Sequence, residues 1–302
     1  MLELWIPITI LGALLQCLRT ALQKHLATGL STNAATWTRF VFAFPLAIAF
    51  VVWLRQVHDL PLPGVNAAFV GYVVAGSVSQ ILATSLLIKA FAFRNFAVAT
   101  TYSKTEAMQT ALFGILILGE LVALGATAGI LVSLVGIMLL SLARSDSRLR
   151  EVLTAWTSKP ALIGIASGSF FALSAVLVRA SALSLDDGSV VMRAAMTLAS
   201  MTVFQTVVLG LWLAWREPGE IGKVFSDWQK PALVSLMSVV GSACWFVAMT
   251  MQTVAYVRTL GQIELVFTFL ISYFVFRERT NRSELMGIAL IIAGLVLLLQ
   301  FR

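Results

Sequence analysis

Apolar side chains run along this chain in blocks of about 20 residues, separated by short polar or charged connections. Alternation with period two is absent, so the blocks read as helices and not strands. A helix of about 21 residues is about 32 Å long, enough to cross the hydrocarbon core of a bilayer. The blocks predict ten spans, near 5–27, 33–54, 66–90, 97–118, 124–143, 161–182, 190–215, 232–254, 258–276 and 285–301. The two longest connections, 144–160 and 216–231, are charged, carry Trp156 and Trp228, and end in Lys-Pro. Pro160 and Pro231 suit the first turn of a helix, and both connections read as short interfacial amphipathic pieces. Trp5, Trp53, Trp212 and Trp215 fall near span ends, as an aromatic belt requires.

Polar positions inside the spans line up on faces. In the first span Gly12, Gln16, Arg19, Thr20 and Gln23 share one face. Ser77, Gln80 and Thr84 do so in the third. In the eighth, Ser238, Gly241, Ser242, Trp245, Met249 and Gln252 do so. Such a stripe is either a cavity wall or polar glue between helices. Trp245, far from either belt, would stack on an aromatic or cationic substrate or simply pack in the core. The fourth span holds Tyr102, Lys104, Glu106 and Gln109. Lys104 points ~200° away from Glu106 on a helix, so the two are not partners on one face and Lys104 needs a partner elsewhere. The ninth span holds Gln262 and Glu264. An ionisable group at this depth is expensive and needs compensation.

Composition narrows the class. Of 302 residues, 59% are hydrophobic and 12% charged, and mean hydropathy is +0.93. Soluble domains carry about 25% charged residues, so this is a multi-span membrane protein. The net charge of +7 sits in short loops, which fits topology signals and argues against a nucleic-acid partner. Cys17 and Cys244 both fall in apolar spans, which argues against a disulfide framework or a zinc site. The first block is too long for a cleaved signal peptide and is expected to remain as a helix. No cofactor is called for, and the absence of a Gly-x-x-x-x-Gly-Lys loop means that any transport energy comes from outside the chain.

The chain is built twice. At an offset of 158, Ala90 matches Ala248, Thr101 matches Thr259, Glu106 matches Glu264, Glu120 matches Glu278, Gly129 matches Gly287 and Gly136 matches Gly294. Earlier in each copy the offset drifts, with Gly12 against Gly168 and Arg39 against Arg193. Five spans per copy invert the second copy in the membrane. Inverted repeats place a substrate site near the midplane and permit alternating access. The expected fold is therefore an all-α membrane protein of ten transmembrane helices in two inverted five-helix repeats, 1–143 and 161–302, joined by a linker at 144–160.

Arg39-Phe40, the Ala90 region, the segment from Glu106 to Gly119-Glu120 and the Gly129/Gly136 helix resemble the EamA repeat of the drug/metabolite transporter superfamily. Gly261-Gln262-Ile263-Glu264 through Arg277-Glu278-Arg279 and Gly287 to Gly294 resemble it again. The resemblance covers nearly the whole chain and implies a ten-helix, exporter-like fold with a central cavity. The family often has Glu-Pro where this chain has Glu106-Ala107 and Glu264-Leu265. Without the proline a kink is expected to be lost from both copies. The resemblance also implies cytoplasmic termini. The charge count implies the reverse: eleven Lys and Arg lie in the loops after the odd-numbered spans, against Arg55, Arg258 and Arg302 on the side of the termini. The positive-inside rule then places both termini outside.

These readings give a secondary transporter, exporter-like, of a small polar or amphipathic metabolite such as an amino acid or derivative. It sits multi-pass in the cell membrane (the inner membrane of a Gram-negative cell) and takes its drive from a proton or substrate gradient. Coexisting acids and bases at depth favour a zwitterion. The candidate substrate-binding residues are Gln16, Arg19, Gln23, Gln80, Tyr102, Lys104, Glu106, Trp245, Gln262 and Glu264. Arg39 and Arg193, at span starts, are candidates for gating or structural ion pairs, with Glu106 and Glu264 as possible acids. The partners are a small-molecule substrate and membrane lipid. Alternatives are a carrier of lipid or lipid-linked sugar, a non-transporting sensor, and a membrane-embedded enzyme. The last is disfavoured because His25 and His58 are the only histidines and stand in no catalytic pattern.

Overall fold

A computed structural model describes residues 3–26, 30–90, 102–143, 157–226, 229–274 and 281–301, with side chains throughout except at 19–26, 229–231, 233, 234 and 272. In chain order the helices are α1 (Trp5–Leu26), α2 (Thr32–Val41), α3 (Ala43–Val57), α4 (Ala67–Ala90), α5 (Glu106–Phe113), α6 (Leu124–Ala143), α7 (Lys159–Ser184), α8 (Val190–Arg216), α9 (Pro218–Ser226), α10 (Gln229–Met251), α11 (Val254–Leu260), α12 (Ile263–Phe274) and α13 (Arg282–Gln300). A π-helical turn, Gly114–Leu118, continues α5 and ends at Gly119, whose φ of 68° is left-handed.

Among the described residues, seven helical stretches are long and apolar enough to cross a membrane: Thr32–Val57, Ala67–Ala90, Leu124–Ala143, Lys159–Ser184, Val190–Arg216, Val254–Ile271 and Arg282–Gln300. Trp5–Leu18, Glu106–Leu118 and Ser235–Met251 are apolar but shorter over their described residues. Seven of the ten expected spans are thus matched by full-length stretches among the described residues. The fourth span is the clearest departure, because a turn at Lys104–Thr105 interrupts it.

Local chemistry explains the ends. Ser31 and Ser189 cap α2 and α8 through hydroxyls that accept the N–H of Ala34 and Met192. Asn281 and Glu284 form a capping box on α13. Pro45, in the first turn of α3, has no N–H to continue the ladder from α2, and the two helices part at Phe42.

The chain forms two compact units, residues 1–81 with 177–252 and residues 82–176 with 253–302. In the first, α8 buries Met192, Leu198, Met201, Gln205 and Leu213 against α2, α3 and α10. Trp37 Nε1 donates to Thr206 O at 2.9 Å, and Ser235 Oγ donates to Thr38 O at 2.7 Å. In the second, α6 and α13 pack antiparallel, with backbones nearly touching at two levels. A Cβ at Gly136 would lie 2.7 Å from Gly287 O, and one at Gly129 would lie 2.7 Å from Gly294 O. Lipid gives helices no hydrophobic drive to associate, so small residues that allow close van der Waals contact take that role. The matched glycines of the repeat are therefore the seam of this unit.

Of the belt tryptophans, Trp53, Trp212 and Trp215 are exposed, and Arg216 stacks 4.2 Å from the Trp215 centroid. Trp5 is buried instead, with Nε1 donating to Glu3 Oε2 at 2.6 Å. Trp156 and Trp228 lie outside the described residues.

Candidate functional site

The second unit carries two helix breaks at repeat-matched positions. Tyr102–Ser103 is helical, Lys104–Thr105 is a turn, and α5 starts at Glu106. Likewise α11 ends at Leu260, Gly261–Gln262 is a turn, and α12 starts at Ile263. Lys104 and Gln262 stand 158 apart, so the breaks coincide in the two copies. The expectation that these copies lose their kink with the proline is overturned. Tight i→i−3 bonds do the work instead. Thr105 N–H donates to Tyr102 O at 3.2 Å, Gln262 N–H to Thr259 O at 3.0 Å and Glu264 N–H to Gly261 O at 3.1 Å. Thr105 Oγ1 donates to Tyr102 O as well, at 2.6 Å. At Gly168 the backbone of α7 comes so near the first break that a Cβ would lie 2.7 Å from Ser103 O.

The charges cross between the copies. Lys104 Nζ donates to Glu264 Oε1 at 2.6 Å, and Arg258 pairs with Glu106 Oε1. Each acid takes its base from the other copy. Lys104 is also attracted by Glu106 and repelled by Arg258, so the four form one electrostatic cluster. Their side chains are only 14–29% exposed, and two acids against two bases leave the cluster neutral. Both glutamates lie in the first turn of a helix, where the dipole favours an anion.

Around this quartet, Gln262 is buried, with Nε2 donating to Arg258 O at 3.3 Å and Oε1 buried without a hydrogen-bond partner. Tyr102 is buried against Ala161, Leu142 and Ile165. Arg258, the first residue of the expected ninth span, counts in the charge tally on the side of the termini; it lies in α11 and pairs with an acid. The need of Glu106 for a cation was a signal that could have found it.

The first unit has a separate polar centre. Gln205 Nε2 donates to Gln80 Oε1 at 2.7 Å, beside a cavity lined by Arg39, Gln80, Thr202, Gln205, Ser238 and Ser242. The cavity has room for roughly one water molecule. Gln205 Oε1 and Ser77 Oγ are buried there without partners. Gln205 is absent from the sequence-based candidates, although a lone amide in the apolar run of α8 marks it.

Arg39 lines this cavity, and its guanidinium lies 5.7 Å from the Phe40 ring centroid. Arg193 makes no ion pair among the described residues, and its Nε is buried without a partner. The cations that meet Glu106 and Glu264 are Arg258 and Lys104. Trp245 is buried, and a Cβ at Gly12 would lie 3.5 Å from its Nε1, so the tryptophan packs where α1 and α10 meet. Gln16 is half-buried on α1. The side chains of Arg19 and Gln23 lie outside those described, as do Glu278 and Thr101.

The model of the EamA-like transporter family matches the chain twice, over residues 3–142 and 158–300. No curated protein matches it in sequence. Among solved structures, one crystal structure of a protein superposes with a TM-score of 0.72 at 18% identity, covering 99% of this chain and 98% of that one. At that identity the likeness speaks for the fold alone.

Proposed function

This chain belongs to the EamA-like transporter family, and from that premise we propose that it exports a small zwitterionic metabolite, an amino acid or derivative, by alternating access. The chain is a multi-pass membrane transporter; the substrate, the direction and the drive are the reading advanced here. The observation that carries it is the crossed, neutral quartet of Lys104, Glu106, Arg258 and Glu264 at two matched helix breaks. A zwitterion brings both charges. Its ammonium competes for a glutamate while its carboxylate takes the released Lys104 or Arg258. Such an exchange strands no charge in a low-dielectric interior, where an unpaired one is costly. Gln262 offers an unused buried acceptor beside it.

Discontinuous helices at repeat-matched positions are a usual way for transporters to expose polar backbone at a substrate site. In this reading 1–143 and 161–302 are the two inverted repeats, joined at 144–160. A proton or substrate gradient supplies the drive.

The test is uptake into proteoliposomes of labelled amino acids, amines and nucleosides, with and without a pH gradient. An amino acid or derivative is expected to be carried, and Lys104→Met or Glu264→Gln to abolish its flux. Transport of a bare amine or nucleoside with no amino-acid flux would overturn the zwitterion reading. If Glu106→Gln and Glu264→Gln each left pH-driven flux intact, neither would be a proton carrier.

A further inference from the structure

The end of α10 holds a second charged arrangement, apart from the quartet. Arg179 of α7 and the end of α10 belong to the unit containing 177–252. The Nη1 of Arg179 lies 2.7 Å from Met249 O, 3.2 Å from Thr250 O and 2.9 Å from Gln252 O. One guanidinium nitrogen carries only two hydrogens, yet three carbonyl oxygens converge on it. At least one hydrogen is therefore shared between two carbonyls, and three backbone oxygens surround a single cationic nitrogen.

The last carbonyls of a helix have no intrahelical partner and carry the negative end of its dipole. Carbonyl groups at helix ends are also the groups with which transporters coordinate monovalent cations. We propose that the end of α10 is a monovalent-cation site built from the carbonyls of Met249, Thr250 and Gln252, and that Arg179 is its tethered occupant. A cation fixed by a covalent stem does not leave with the substrate. Sodium or potassium therefore does not bind here in the native chain, and any coupling ion acts elsewhere. Emptying the site by substitution converts it into one that takes a free cation.

The test uses the full chain purified in detergent. Thermal unfolding is followed at equal ionic strength in the chlorides of sodium, potassium, guanidinium and choline (the last too bulky to enter), all at low millimolar concentration, where guanidinium does not denature. The readout is independent of which substrate is carried. The native chain is expected to unfold at one temperature in all four. Arg179→Ala is expected to unfold earlier in choline, and to recover in a saturable way with at least one of the three small cations. The same midpoint in all four salts for Arg179→Ala would overturn the site. So would a salt-selective shift of the native chain as large as that of the variant. If Arg179→Ala yields no folded protein, Arg179→Lys carries the test. Bringing its own ammonium, it is expected to fold and to be indifferent to the salt. Failure of Arg179→Lys to fold in every salt, or a choline deficit in it, overturns the proposal.

Discussion

Lys104 and Glu264 are 160 residues apart and meet at 2.6 Å. A pair this shielded is stabilising only as a pair, because each charge has left water for the other. Lys104→Met takes the ammonium from a carboxylate that is only 14% exposed, at a cost of about 3 kcal/mol. Exchanging the two residues, Lys104→Glu with Glu264→Lys, is expected to recover most of that loss in thermal unfolding. If the exchange is no more stable than Lys104→Met, the pairing is not what holds the two copies' charges in place. At the start of α2 the chemistry is different, because Glu220 belongs to α9, in the connection between two long apolar helices. It accepts from Lys223 Nζ at 2.5 Å and from Ser31 N–H at 2.7 Å, while Glu217 accepts from Ser31 Oγ and Asn33. Lys223 first, then Ser31, hold the Glu220 carboxyl below its ordinary value. Its contribution is therefore present above the unfolded-state pKa and is lost as pH falls through the lower, folded one. The protection factors of the first-turn amides of α2, with the intrinsic pH dependence of exchange divided out, should fall on acidification through that window. In Glu220→Gln the protection should already be lower at neutral pH and lose this dependence.

At the scale of elements, the breaks before Glu106 and Glu264 follow from local bonding and not from proline. Ala107 is the second residue of α5, where a helix leaves its N–H without an intrahelical acceptor. Ala107→Pro leaves no hydrogen bond unmade, since the first turn accepts proline, and its cost is expected to be only that of fitting the ring at a buried position. Leu265 N–H instead donates to Gln262 O at 3.0 Å. Leu265→Pro removes that bond at a cost of about 1 kcal/mol. Equal destabilisation by both would mean that the two breaks are held alike. This contrast also shows where sequence reading stops. Glu106, Lys104 and Glu264 were legible because a charge in an apolar run has no bland explanation, and the matched glycines of α6 and α13 were legible through the repeat. The breaks were not, because proline is the only marker periodicity offers, and the Thr105 hydroxyl bonding to Tyr102 O leaves no trace in it. Arg258 was missed because it stood at an estimated span boundary. Arg179 and Gln205 were passed over within longer apolar runs, although each is a polar group that must be satisfied.

For the whole molecule, moving Arg258 from a span boundary into a paired position in α11 changes the topology argument. Only Arg55 and Arg302 then remain on the side of the termini, against eleven basic residues opposite. The physical basis of that bias is the difficulty of carrying Lys and Arg in short loops across the membrane, and the connections here are short. Ten crossings, as the sequence predicts, put both termini on one side, so a single reporter decides the orientation. A reporter active only in the cytoplasm is expected to be silent when fused after Arg302 and active when inserted within 144–156. The opposite pattern would show that family topology outweighs the charge bias. The quartet is informative for the same reason. Its charges are matched within one unit, so they exert no net pull toward either side of the membrane, and orientation is left to the loops. Neutralising the loop charges while keeping the quartet should therefore randomise the reporter signal, whereas Lys104→Met should leave it unchanged. A reporter that followed Lys104 instead would mean that the quartet takes part in setting topology.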